Sequence, residues 1–221
     1  MSVPIVPAVI PESEAALVDM TKQLTFSHEL HLDLVDGKFV PTTSWPFLAG
    51  GEAIAVKPHT DKYTLEVDLM VENPIPVARE WVKAGADMLV FHVETIDLAS
   101  FMDFVTYAPR GVTIGISVAG DTPMESIVPY LPYADYVQLM GIHRIGSQGQ
   151  PFDETIFDRI NFVRSATPEI MISVDGAVSE KTISRLVKAG VDRLIVGSAI
   201  VKQEDMEAAY KNLRACVNEA R

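Results

Sequence analysis

His31-Leu32-Asp33-Leu34-Val35-Asp36-Gly37 decides how the rest of the chain is read. Leu30, Leu32 and Leu34 alternate with His31 and Asp33, which is the period of a β-strand. Because side chains alternate across a strand, His31 and Asp33 share one face. An imidazole beside a carboxylate at a strand end is poor core material, since a buried charge costs several kcal/mol unless it is paired or metal-bound. The plain structural account is a His–Asp pair satisfied beneath a loop. The alternative is an active site, and the flanking sequence favours it.

Before this stretch, Val3–Ile10 reads as a strand and Glu12–Leu24 as a helix with Ala15, Ala16, Leu17 and Met20 on its apolar side. Pro41–Lys57 is irregular, with Trp45, Phe47 and Leu48 covering a loop that Gly50-Gly51 breaks. Further strands are expected at Thr64–Met70, Met88–Val93, Val112–Val118, Tyr136–Met140, Ile170–Val174 and Arg193–Val196. Helices are expected at Pro76–Ala84, which Gly85 ends, and at Leu98–Tyr107, Asp153–Ser165 and Glu204–Ala220. Thr122-Pro123 reads as a helix start after the fifth strand, and Ser179 as the N-cap of a helix over Ser179–Ala189 that Gly190 ends. Strands that each lead into a helix predict a (β/α)8 TIM barrel, with residues 1–221 as one domain. An open doubly wound sheet is the alternative, but no glycine fingerprint follows the first strand.

The composition narrows the partners. With 22% charged and 48% hydrophobic residues, the 221-residue chain is that of a globular protein. Its net charge of −12 argues against nucleic acid and anionic membranes, whose phosphates it would repel. The single Cys216 permits no intramolecular disulfide, which suits the cytoplasm. No apolar run approaches the ~18 residues of a transmembrane helix, and neither a span nor a signal peptide is expected.

In a barrel the chemistry gathers where the strands end. His31, Asp33 and Asp36 lie at the end of the second strand, Asp68 on the third, His92 and Glu94 on the fourth and Asp175 on the seventh. Of these, His31, Asp33, Asp68 and Asp175 can approach one point. One imidazole and three carboxylates suit a divalent cation such as zinc, manganese or iron; a hydrogen-bonded network without metal is the simpler account. Glycines gather after the last three strands: Gly146-Ser147-Gln148-Gly149, Gly176 and Gly197-Ser198. Their backbone N–H groups can close on a phosphate, with Arg144 as an added cation. His28 and His59 lie outside the strand ends and read as surface residues.

These residues resemble the ribulose-phosphate 3-epimerase family and its sugar-phosphate epimerase relatives over nearly the whole chain. The most specific piece runs from His31 through Gly37-Lys38-Phe39-Val40-Pro41 and is similar to the family's HxDxMDGxFVP signature. Asp68-Leu69-Met70-Val71-Glu72, Ala84-Gly85-Ala86-Asp87, Phe91-His92-Val93-Glu94, Val174-Asp175-Gly176 and Gly197-Ser198-Ala199-Ile200 support it. The resemblance implies an epimerase that removes a proton beside a ketose carbonyl and returns one to the opposite face. It implies Asp33 and Asp175 as base and acid as well as metal ligands, Met70 and Met140 as apolar walls, a small-molecule sugar phosphate as partner, and a homo-oligomer.

The chain also departs from that pattern. Asp68 stands where the family's third-strand ligand is histidine, Ala8 replaces a serine, Val35 a methionine and Ala177 a glycine. The loop after the sixth strand reads His143-Arg144-Ile145-Gly146-Ser147-Gln148-Gly149-Gln150, one residue longer than the family's NPGFGGQ. These departures leave two alternatives: a diverged lyase or isomerase acting on another phosphorylated metabolite, or a non-catalytic phosphometabolite-binding homologue. Related decarboxylases and synthases carry a lysine two residues after the strand aspartate, where this chain has Val35.

Overall fold

Side chains that alternate between an apolar and a polar face build this molecule. The computed structural model describes residues 3–146 and 149–220. Among them, β1 (Ile5–Val9), β2 (Glu29–Val35), β3 (Thr64–Met70), β4 (Met88–His92), β5 (Thr113–Val118), β6 (Tyr136–Met140), β7 (Met171–Asp175) and β8 (Arg193–Val196) close into a barrel in chain order. Neighbouring strands are parallel, and β1 pairs with both β2 and β8. The helices are α1 (Glu14–Gln23), α2 (Lys57–Thr60), α3 (Pro74–Ala84), α4 (Leu98–Tyr107), α5 (Ile156–Ala166), α6 (Ile183–Lys188), α7 (Ser198–Val201) and α8 (Met206–Glu219). None of these is long and apolar enough to cross a membrane.

The outward faces of the strands are apolar. Leu30, Leu32 and Leu34 of β2 join Leu65, Val67 and Leu69 of β3 in one buried layer beneath the helices. Three helix starts carry side-chain caps: Ser13, Asp97 and Asp205 accept the N–H groups of Ala16, Ser100 and Ala208.

Two expected helices differ. Thr122-Pro123 opens no α-helix; β5 leads instead into 3-10 turns at Met124–Ile127 and Leu131–Tyr133. Pro123, Pro129 and Pro132 fall within this segment, and each removes a backbone donor that an α-helix needs. Ser179 does not cap a helix. Thr182 Oγ1 accepts from the Ser179 N–H at 2.9 Å and donates to Ala177 O at 3.0 Å, and this turn occupies the place of a first helical turn.

At the end of the barrel where the strands begin, one device recurs three times among the described residues. Asp87, Asp135 and Asp192 stand just before β4, β6 and β8. Each carboxylate accepts at 2.8 Å the N–H of Leu65, Ile114 or Ile172 on the preceding strand. The backbone N–H of each aspartate returns a bond to the same residue's carbonyl, so each strand pair is clasped at its base.

The inward face combines small apolar patches, such as Val6, Ala8 and Ile195, with a buried polar network. Glu66 is wholly buried and accepts from both sides: Tyr136 Oη at 2.6 Å, His31 Nδ1 at 2.8 Å, and Arg193 Nη1 at 3.1 Å from each oxygen. Arg193 also reaches Glu29 at 2.7 Å. Burial would raise the Glu66 carboxyl, but Arg193, His31 and Tyr136 together bring it down to about 2. The same contacts hold the Arg193 guanidinium charged despite its burial.

Ala177, after β7, has φ +52°, a left-handed conformation that costs a residue with a Cβ roughly 1–2 kcal/mol. Two outcomes follow for stability. Arg193→Met strips a buried carboxylate of its main partner and should cost about 3–5 kcal/mol in chemical denaturation; a loss below about 1 kcal/mol would contradict this account of the barrel centre. Ala177→Gly relieves the strained backbone and should stabilise by up to about 1 kcal/mol, whereas Ala177→Val should destabilise. Equal denaturation midpoints for all three residues at this position would show that the turn carries no strain.

Candidate active site

The polar layer nearest the strand ends rests on the Glu66 network. With Nδ1 of His31 fixed by Glu66, its Nε2 points to the mouth, 3.2 Å from Asp33 Oδ1 and 3.9 Å from Asp68 Oδ2. Strand register sets Asp33 beside Asp68, and Asp175 enters from the end of β7. Asp68 is gripped on both oxygens: Oδ1 lies 2.8 Å from His92 Nε2, and Oδ2 accepts Gln138 Nε2 at 2.7 Å.

The expected metal ligands are thus brought together. One ligand atom each from His31, Asp33, Asp68 and Asp175 lies within 4.8 Å of all the others. Ligands of a common ion at about 2.0–2.2 Å stand slightly closer than this, so a small contraction would complete the set. The donors fit a divalent cation: three oxygens and one nitrogen, with Glu66 bonded to the far side of the imidazole. The electrostatics agree. Burial, and then the negative charge of Asp33, push the Asp175 carboxyl up to about 8, offset in part by His31. Burial raises Asp33 as well, while His31 draws it back. The His31 imidazole is raised in spite of burial, chiefly by the charge of Glu66.

Above this cluster opens a cavity of about 520 Å³, mouth included, lined by Asp33 and Asp175 together with Met70 and Met140. The loops after β6, β7 and β8 contribute Gly146, Gly149, Gly176, Gly197 and Ser198, so the expected phosphate residues share one cavity with the carboxylates. Gly176 has φ +94°, and a Cβ there would meet the Ile142 side chain at 2.8 Å. Gly146 has φ +88°, and its carbonyl accepts the Thr42 hydroxyl, which ties the loop after β6 to the loop after β2. Ser147 lies outside the described residues.

Some expected residues stand elsewhere. Arg144 does not line the cavity; it borders a neighbouring surface depression with Phe39, Asp121 and His143. Asp36 and Glu94 serve the loops. Asp36 accepts the N–H groups of Lys38, Phe39 and Glu72, and Glu94 accepts that of Ala119. Glu66, Tyr136, Gln138 and Arg193 were not anticipated. Glu66 precedes Asp68 by two positions on the same strand, so the alternation that placed Asp68 inside also placed Glu66 there.

Comparison with known proteins agrees with this arrangement. The sequence pattern of the Ribulose-phosphate 3 epimerase family matches residues 4–201. Ribulose-phosphate 3-epimerase of Bacillus subtilis is 32% identical over 192 residues, covering 84% of this chain and 85% of that protein. The protein of the same name from Chlamydia muridarum is 30% identical over 218 residues, covering 95% of this chain and 92% of its own. Among solved structures, 3-hexulose-6-phosphate synthase from Salmonella typhimurium superposes over 100% of both chains with a TM-score of 0.73 at 15% identity. Orotidine 5′-phosphate decarboxylase from Pyrococcus horikoshii does so over 97% of this chain and 99% of its own, with a TM-score of 0.68 at 20% identity. At those identities the two structures show the barrel alone. The sequence matches reach further, and by them the chain belongs to the ribulose-phosphate 3 epimerase family.

Proposed function

We propose that the protein is a sugar-phosphate 3-epimerase, acting on ribulose 5-phosphate or a related ketose phosphate. The observation that carries the reading is the pair Asp33 and Asp175, which line one cavity from β2 and β7, with the charge of Asp33 helping to raise the Asp175 carboxyl. Two carboxyl groups facing one cavity, one of them raised to about 8 by burial and its neighbour's charge, are suited to act as base and acid on one carbon.

In this reading one carboxylate takes the proton from the carbon beside the ketose carbonyl. The C–H electron pair then moves towards the carbonyl oxygen and leaves an enediolate. The other carboxyl group, held protonated, returns a proton to the opposite face and inverts the centre. The two aspartates finish with exchanged protonation states and reset through solvent. Met70 and Met140 present apolar, polarizable walls that keep bulk water from the reacting carbon. Backbone N–H groups at Gly176, Gly197 and Ser198, with those of the loop carrying Gly146 and Gly149, hold the phosphate and fix the sugar's register.

His31, Asp33, Asp68 and Asp175 would hold a divalent ion, zinc, manganese or iron, which when bound supplies positive charge against the negative charge developing on the substrate oxygens. His31 serves this role through Nε2 while Glu66 keeps Nδ1.

Turnover in deuterium oxide should place one deuterium on the carbon beside the carbonyl of the ketose phosphate. Asp33→Asn and Asp175→Asn should each lower that exchange by at least about 10²–10⁴-fold. Folded, metal-supplemented protein that labels none of several pentulose and hexulose phosphates would reject the epimerase reading. Elemental analysis of protein purified without chelator should find one divalent ion per chain. Added metal at about 100 times its Kd should raise stability by about 2.7 kcal/mol, read as a higher thermal midpoint. Protein free of metal, with a midpoint unmoved by zinc, manganese or iron, would refute the proposed ligand set.

A further inference from the structure

Asp68 is the ligand position at which this chain departs from its family, and its surroundings differ from those of the other two aspartates. Both of its oxygens accept bonds from buried side chains on other strands: His92 of β4 at 2.8 Å and Gln138 of β6 at 2.7 Å. The Gln138 amide turns its NH2 group towards Asp68 and donates to Oδ2. Gln138 crosses the barrel from β6 to reach β3. Its register neighbours on both sides, Ser117 and Ser173, are small and leave its longer side chain room to extend.

We propose that Gln138 and His92 are positioning residues that make Asp68 a one-oxygen ligand, in place of the histidine of its relatives. The inference rests on the reading above, in which His31, Asp33, Asp68 and Asp175 hold the cation. His92 draws Oδ1 to one side. Gln138 occupies one lone pair of Oδ2, and the other remains for the site, on the side where His31 Nε2 stands 3.9 Å away. A free aspartate can chelate through both oxygens or rotate out of the site. The clamp ties each oxygen to a different strand, which opposes both motions and leaves Oδ2 as the oxygen directed at the site. Gln138 therefore has a reason to be polar in a strand whose neighbouring residues Val137 and Leu139 are apolar.

The test is a double-mutant cycle read by metal binding, with manganese(II) and zinc(II) titrated calorimetrically into metal-free protein. Gln138→Leu should weaken binding of either ion about 10–100-fold, the usual cost of removing a group that orients a metal ligand. In an Asp68→His background the same substitution should change the affinity little, because the carboxylate it positions is gone. A merely structural role would lower the thermal midpoint in both backgrounds and leave the affinity unchanged. Gln138→Met, close in length and without an N–H donor, gives the same reading if the leucine variant does not fold. His92→Phe should likewise weaken binding only while Asp68 is present. Unchanged affinity in Gln138→Leu and Gln138→Met would overturn the clamp and leave the metal site standing. Failure of the unmodified protein to bind either ion would overturn both.

Discussion

The ion network around Glu66 is the constraint on which the barrel centre depends. A carboxylate fully removed from water is tolerable only if its charge is met and its lone pairs are filled. Here Arg193, His31 and Tyr136 do both, and they come from β8, β2 and β6. Slipping any of these strands by one residue would turn its partner outward and leave the charge unmet. The network therefore fixes register across the barrel where aliphatic layers alone would tolerate repacking. It also orients His31, so the mouth inherits its geometry from the layer beneath.

Much of this was legible in the sequence because alternation is a strong signal. The period-two pattern around His31 and Asp33 located β2 and the face that carries chemistry, and the recurrence of strand and helix gave the barrel. What escaped detection did so for physical reasons. Arg193 opens a short strand after Asp192, where a charged pair reads as solvated surface; its partners Glu66 and Glu29 lie 127 and 164 residues away. Gln138 and Tyr136 are single polar groups in an apolar run, and their partners lie 70 residues away, beyond any local pattern. After β5, Thr122-Pro123 has the local signature of a helix start, but Pro129 and Pro132, which follow, deny an α-helix its backbone donors. Arg144 was assigned by nearness in sequence to the glycines, but the loop turns it to the neighbouring depression.

The departures from the family pattern are of two kinds. Asp68 is embedded: both of its oxygens are bonded by side chains from two other strands. Ala177 is local, a left-handed alanine held in place by the Thr182 bridge to its carbonyl. Neither disturbs the shared cavity, in which Asp33, Asp175 and the glycines of three loops still meet.

The clasps made by Asp87, Asp135 and Asp192 lie at the opposite end of the barrel from that cavity. They join strands through backbone N–H groups and carbonyls, and they use no residue of the mouth. Assembly and chemistry are thus assigned to separate poles of one molecule. A lineage with this layout is free to exchange a ligand, lengthen a loop or lose a glycine at one pole while the other continues to hold the strands together. Its evolvability is a property of the wiring as much as of the fold.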